Sequence, residues 1–482
     1  MPLTLFWLIV ALFFNLTNPM PTIDKLISTF HPPLQQQVES TEDIHASSII
    51  IDGHVDTMMN IINEDTWLPE TDIGEDTSLH VDIPKLQEGG LDAAFFAAYT
   101  TDYYGNNPRN ISRTLALLNA LYWTEQNNPN QFQIASTSME IMKTIKSGKI
   151  AAIPTIEGAY SLQEHNAIEL LHQYDDLGVK AIGFNWNYSN ALGEGADRVY
   201  GDPAKTPSQG GLTELGAEVV KEMNKLGMIV DVSHMSEDTF WDVLEVAEAP
   251  IMATHSGVNA LKNHQRNLND EQLIALSENG GIVGIVFYPV FLTDNPEAYV
   301  TDVVDHIDYA VDLIGIDHVA IGSDFDGSDM PKDIHDATDL HKITDELIKR
   351  GYSDEEVEKL LGENTLRLLM DVEEAAEISP YNSGAGANLK INPAFEMGEI
   401  IDSTTPILSA NIEISGTSEI NNNSLRVIVD GIPYEPVYNS ESSSLTLEVK
   451  EPLQEKFHVV TFEVANDHNE IHRETRIFYI DN

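Results

Sequence analysis

Cysteine is absent from all 482 residues, which excludes disulfides, thiolate metal sites and cysteine nucleophiles in one step. Any metal in this protein must sit on histidine, aspartate and glutamate. Basic residues are scarce too: 26 Lys and Arg stand against 78 Asp and Glu, a formal charge of -52. Such a chain repels phosphate backbones and anionic headgroups alike, so nucleic acid is excluded as a partner. The acidic residues are spread along the whole length, as in a hydrated, soluble surface suited to high salt or to the acid-rich proteome of a halophilic type of bacterium.

Long apolar runs are equally rare. Leu5 to Phe14 is long enough for the core of a signal peptide but too short to cross a bilayer. Residues 1–22 therefore read as a signal-like segment, and the expectation is a secreted or cell-surface protein with no integral membrane span. The segment lacks a positive leader, since the first basic residue is Lys25, and no small-residue cleavage site stands between Asn15 and Thr22. A buried N-terminal helix is the alternative.

What the chain does have is 42% hydrophobic residues, enough at this length for more than one domain core. Eight apolar runs rich in β-branched and aromatic residues recur. They are Ile49 to Asp56, Ala93 to Thr100, Ile150 to Glu157, Ala181 to Trp186, Met228 to His234, Ile251 to His255, Ile282 to Tyr288 and Val319 to Asp324. Amphipathic segments such as Arg113 to Asn127, Leu212 to Leu226 and Asp302 to Ile314 separate them. Eight strands alternating with helices predict an α/β fold, a closed (β/α)8 barrel of the TIM type over residues 45–375. Gly362 to Met370 reads as its last helix, and the Pro, Gly, Ser and Asn-rich stretch over 376–405 as a linker. Beyond it, Leu425 to Val429, Leu445 to Val449, His458 to Val464 and Thr475 to Ile480 alternate, with turns at Asp430-Gly431 and Asn466-Asp467. They predict a small all-β, immunoglobulin-like sandwich over 406–482, an accessory domain without a catalytic constellation.

Ionisable residues gather at the C-terminal ends of the barrel runs, where barrel enzymes place their active sites. His54 and Asp56 are two apart on one strand and so share a face. The chain repeats that triplet as His80-Val81-Asp82, but in a polar segment running into Pro84, where Asp82 reads as a helix N-cap. Glu157 closes a buried run, and carboxylates are seldom left there without a metal or a basic partner. His234 and His255 close two consecutive runs and deliver imidazoles to the same rim. Three histidines with two carboxylates are the ligand mix of borderline cations. Asp324 offers a carboxylate that could take a proton from attacking water, while Asp326, next to Gly327, reads as a turn residue.

This set resembles the membrane dipeptidase family of the amidohydrolase superfamily. The matching segments are Ile51 to Asp56, Glu157-Gly158, Asp231 to His234, Ala253 to Ser256, Arg266 to Leu268, Phe287-Tyr288 and Gly322 to Gly327, and the likeness runs through most of residues 45–371. The resemblance implies two zinc ions: His54 and Asp56 on the first, His234 and His255 on the second, Glu157 bridging. It implies hydrolysis of dipeptides by a metal-bridging hydroxide, with Asp324 relaying the proton and D-residues tolerated at the C-terminal position. Arg266, otherwise an ordinary surface arginine, becomes the clamp for the substrate carboxylate, and Tyr288 a neighbouring contact. One departure stands out. Where mammalian members carry a histidine that polarises the substrate carbonyl, this sequence reads Phe184-Asn185-Trp186-Asn187, so Trp186 or Asn187 would donate instead.

The expected partner is a small dipeptide. The resemblance leaves a homodimer open, and the C-terminal domain is a candidate contact with the cell surface. Another binuclear-metal amidohydrolase, acting on a small amide or lactone, is the competing reading, although such relatives commonly carry a metal-bridging lysine where this chain has Glu157. A non-catalytic binding protein is the third.

Overall fold

The structure, a computed structural model, describes residues 41–104, 108–196, 210–377, 389–415, 419–467 and 470–481; the signal-like segment over 1–22 lies outside them. The first strands are β1 (Ile51–Val55), β2 (Ala93–Tyr99), β3 (Phe132–Ile134), β4 (Ile150–Glu157) and β5 (Ala181–Gly183). They are followed by β6 (Ile229–Asp231), β7 (Met252–Ser256), β8 (Ile282–Ile285) and β9 (Val319–Ile321). All pair in parallel in the order β1-β2-β4-β5-β6-β7-β8-β9, with β3 an extra strand on β4. The ring closes between its ends. Val55 bridges Phe325, Asp56 N–H donates to Phe325 O at 2.8 Å and Asp324 N–H to His54 O at 3.1 Å.

The eight-stranded α/β barrel is thus the predicted fold. Every residue of β4 is buried, because helices cover the outside while side chains fill the inside. Helices α1 (Arg109–Asn127), α2 (Ala167–Asp176), α3 (Glu214–Leu226) and α4 (Val300–Ile314) are among those that clothe it. Thr213 caps α3 by accepting from Gly216 N–H. Four strands end well short of their apolar runs: β5, β6, β8 and β9 leave the ladder before Trp186, His234, Tyr288 and Asp324. These four residues therefore sit just past the hydrogen-bonded barrel, whereas His54, Glu157 and His255 lie within β1, β4 and β7.

The second lobe holds β10 (Leu389–Pro393), β11 (Glu399–Ile401), β12 (Ile407–Ile414), β13 (Arg426–Val429), β14 (Ile432–Tyr434), β15 (Val437–Asn439), β16 (Ser444–Glu448), β17 (Phe457–Ala465) and β18 (Ile471–Ile480). One sheet runs β10-β12-β16-β15, the other β11-β18-β17-β13-β14. Strands β10 and β11 fall within 376–405, the stretch read as linker. Polar turn residues around Asn392 and Glu396 hide two short strands whose partners, β12 and β18, lie far along the chain.

All nine residues of β17 are buried, because its sheet has two apolar faces. Val460, Phe462 and Val464 pack in the sandwich, while Phe457 and Val459 join the barrel core with Ile477 and Tyr479 of β18. The sandwich is thus fused to the barrel. Gln173 of α2, fully buried, pins the seam: its amide donates to Ile428 O and Thr461 Oγ1, each at 3.0 Å, and accepts from Gly431 N–H at 2.7 Å. Arg473 and Thr475 both reach Asp176. Removing Gln173 takes a partner from Ile428 O, the Gly431 N–H and Thr461 Oγ1, of which the last keeps Thr475 Oγ1 at 2.7 Å, so Gln173→Ala is expected to cost about 2 kcal/mol. Thermal or urea unfolding should show the loss; unchanged stability would mean the seam does not couple the lobes.

Candidate active site

Nature of the residues and their backbone together build this site. Glu157 ends β4, where Gly158 turns the chain at φ 86° and lies so close to Thr100 O that a side chain would not fit. Its carboxylate is 3% exposed and its two oxygens face different groups. Oε2 lies 3.6 Å from His54 Nε2, which is itself 3.5 Å from Asp56 Oδ2. Oε1 lies 2.8 Å from His234 Nε2 and 3.5 Å from His255 Nε2. The five residues predicted as metal ligands, His54, Glu157 and His255 on β1, β4 and β7 and Asp56 and His234 just past β1 and β6, therefore converge on one point. His234 Nε2 and His255 Nε2 face each other across 2.8 Å.

Several atoms of this cluster are buried without a hydrogen-bond partner among the described residues: both ring nitrogens of His54, Asp56 Oδ1 and Glu157 Oε2. Buried polar atoms are rarely left so unless something else satisfies them. The electrostatics say the same. Burial, then Arg266, holds His234 well below the usual imidazole range, and burial, then His54, does so for His255. Burial opposes a charge on His54 also, yet Glu157 and Asp56 outweigh it and hold that ring well above its ordinary value. Burial and the Asp56 charge push Glu157 up to about 7. A site that gathers protons onto carboxylates and one imidazole is short of positive charge, and its neutral imidazoles and carboxylates suit divalent cations. His54 with Glu157 and His255, and His54 with Asp56 and Asp324, each bring donor atoms close enough to share an ion.

Asp324 lies on the rim with its carboxyl raised well above the ordinary range, first by burial and then by Asp56. The rim is held in unusual backbone: Asn187, His234, Asp324 and Asp326 adopt φ of 55°, 65°, 65° and 66°. Non-glycine residues seldom adopt such angles without a surrounding structure that imposes them. Asp326, expected as a turn residue, does turn the chain, but it also clamps the loop after β1. Its carboxylate accepts from Thr57 Oγ1 at 2.7 Å, His80 N–H at 2.6 Å and Val81 N–H at 3.2 Å, and its own N–H donates to His80 Nδ1. The second triplet thus stays out of the ligand cluster, and Asp82 caps its helix as expected.

A cavity of about 410 Å³ opens on the cluster, lined among others by Trp186, Arg266, Tyr288 and Phe291. Arg266 is buried rather than a surface residue: it is 2% exposed, donates from Nη2 to His255 O at 3.1 Å and lies 5.4 Å above the Phe291 ring. Trp186 stands against Tyr99 and His234. Asn187, by contrast, does not line the cavity; it is fully buried with Oδ1 2.8 Å from His234 Nδ1. Sequence reasoning passed over Asp231 and Thr254, whose side chains bond each other behind the two histidines at 2.7 Å. Their only signal was their place inside the quoted segments.

The sequence profile of the membrane dipeptidase family, peptidase family M19, matches residues 38–383. The chain belongs to this family. A dipeptidase of Claviceps purpurea, tcpJ, is 33% identical to it over 344 residues, 67% of this chain and 77% of that protein. A metallopeptidase from Rhodobacter sphaeroides, solved with a phosphinate mimic of the dipeptide L-Ala-D-Ala, is 29% identical with a TM-score of 0.60, covering 68% of this chain and 100% of that one. The probable dipeptidase PvdM of Pseudomonas aeruginosa is 25% identical with a TM-score of 0.62, covering 70% and 98%. As an M19 metallopeptidase the chain is a hydrolase of small peptides that works with a metal. Among the described residues no helix is long and apolar enough to cross a membrane.

Gly327 supplies a test of this geometry in the M19 chain. A Cβ there would fall against Asp56 Oδ2 and 2.6 Å from Asp324 Oδ1. Gly327→Ala should therefore displace both carboxylates and lower kcat at least about tenfold, the effect of a modest loss of positioning, while unfolding near the wild-type temperature. A fully active variant would show that the two carboxylates need not hold these positions.

Proposed function

We propose that this M19 chain is a zinc-dependent dipeptidase, hydrolysing dipeptides that carry a free C-terminal carboxylate, including those with a D-residue at that position. The division of Glu157 between two ligand pairs is the observation that carries this reading. His54 and Asp56 would hold one zinc ion, His234 and His255 the other, and Glu157 both. When bound, two such ions would lower the pKa of a shared water and polarise the scissile carbonyl. Imidazole and carboxylate donors without thiolate suit zinc in a hydrolytic role.

The remaining residues orient the substrate and handle its proton. Arg266 is the one guanidinium or ammonium group lining the cavity among the described residues, so it is where a substrate carboxylate would dock, held by a planar fork of donors. Tyr288 and Trp186 line the same cavity and would flank the dipeptide. Since Asn187 is turned to His234, Trp186 is the better donor toward the carbonyl oxygen. Asp324, already disposed to hold a proton, would take one from the attacking water and pass it to the departing amine. No lysine lines the cavity among the described residues, which disfavours the amide and lactone hydrolases with a bridging lysine. The L-Ala-D-Ala mimic bound by the Rhodobacter relative supports a D-residue at the second position.

A panel of L,L and L,D dipeptides, assayed with and without a chelator, tests the reading. Both classes should be cleaved, chelation should abolish turnover, and zinc should restore it; metal-independent cleavage, or none of either class, would reject it. Asp324→Asn should retain its metal yet lose about 10²–10⁴-fold in kcat, and a parallel loss of metal would mean that Asp324 is a ligand instead. Arg266→Ala should raise KM for dipeptides roughly thirtyfold, a loss of about 2 kcal/mol in binding; an unchanged KM would remove the clamp.

A further inference from the structure

The two halves of the ligand cluster are supported unequally. On one side His234 Nδ1 lies 2.8 Å from Asn187 Oδ1 and His255 Nδ1 lies 2.9 Å from Thr254 Oγ1. An amide oxygen only accepts, so the first contact places the ring hydrogen on His234 Nδ1. Thr254 donates its own hydroxyl hydrogen to Asp231 Oδ2 at 2.7 Å and is thereby left to accept from His255 Nδ1. Asp231 is fixed in turn, because its Oδ1 accepts from the backbone N–H groups of Ser233 at 2.9 Å and Thr254 at 3.0 Å. Both Nε2 lone pairs are consequently bare and face Glu157 Oε1.

The other half has no such support. His54 Nδ1 is buried and has no hydrogen-bond partner among the described residues. Only the backbone of His54 is held, by Asp52 Oδ1 at 3.1 Å. Beyond the contacts of its Nε2 with Asp56 and Glu157, its ring is placed by packing against His255, with ring centres 3.9 Å apart.

We propose that Asn187 and the Asp231–Thr254 pair are positioning residues that preorganise the His234–His255 half, so that this half takes up a divalent cation first and holds it more tightly than the His54–Asp56 half. The inference rests on the two-cation reading above. Partners that orient a ligating imidazole are worth roughly 10–100-fold in metal affinity, and one half has them while the other does not.

Calorimetric titration of the chelator-stripped full chain with zinc tests this. Wild type should bind two zinc ions in two resolved steps. His54→Ala should lose the weaker step and keep the tighter one. Thr254→Val and Asn187→Gly, the latter chosen because glycine tolerates the φ of 55°, should each weaken the tighter step by roughly 10–100-fold. Thr254→Ser, which keeps the hydroxyl, should restore it. Two steps of equal affinity, a His54→Ala variant that loses the tighter step, or equal damage from Thr254→Val and Thr254→Ser would overturn the inference while leaving the two-cation reading intact. Failure of the wild type to bind zinc would reject both.

Discussion

A carboxylate buried among imidazoles and other carboxylates governs this protein's active end. Protein atoms alone leave Glu157 poorly satisfied: burial and the neighbouring Asp56 both resist its ionisation, and one of its oxygens has no hydrogen-bond donor among the described residues. The arrangement makes physical sense when cations supply the missing charge, since a carboxylate can give one oxygen to each of two ions. Around that demand the barrel places five candidate ligands on one rim, and the ring's closure between β1 and β9 sets His54 and Asp56 beside Asp324.

Holding that rim requires backbone that ordinary ladders do not provide. His234, Asp324 and Asn187 all sit at positive φ, and each is tied down by its surroundings: His234 by Asn187, Asp324 through the His54 carbonyl, and the following turn by the Asp326 clamp on the loop after β1. The β-sandwich lies elsewhere. It covers α1 and α2 with a sheet apolar on both faces, adding to the barrel's core, and among the described residues it presents none of the ligand cluster.

Much of this was legible because burial makes ionisable residues conspicuous. An apolar run that ends in histidine or glutamate carries an energetic cost that demands a partner, and that cost marks Glu157, His234 and His255, while His54 and Asp56 stand out by sharing one face of a strand; their assignment to metals came from the family resemblance. Strand ends were less legible. The runs of β5, β6, β8 and β9 continue as apolar residues past the point where positive φ or a turn breaks pairing, so hydrophobicity overstates their length. The fusion was hidden for a different reason: β17 reads as an ordinary sandwich strand, and its second apolar face finds its partner only in the barrel, while β10 and β11 pair only with remote strands. Asp231 and Thr254 escaped because their contact depends on the register between β6 and β7. Arg266 lies on a loop, where periodicity says nothing about burial, and only the family resemblance singled it out.

The central claim is that Glu157 stands between two cations. Anomalous diffraction at the zinc edge from crystals of the zinc-loaded enzyme measures this most directly. The account predicts two peaks flanking the Glu157 carboxylate, one beside His54 and Asp56 and the other beside His234 and His255. A zinc-replete crystal with a single peak, or with peaks away from Glu157, would contradict it.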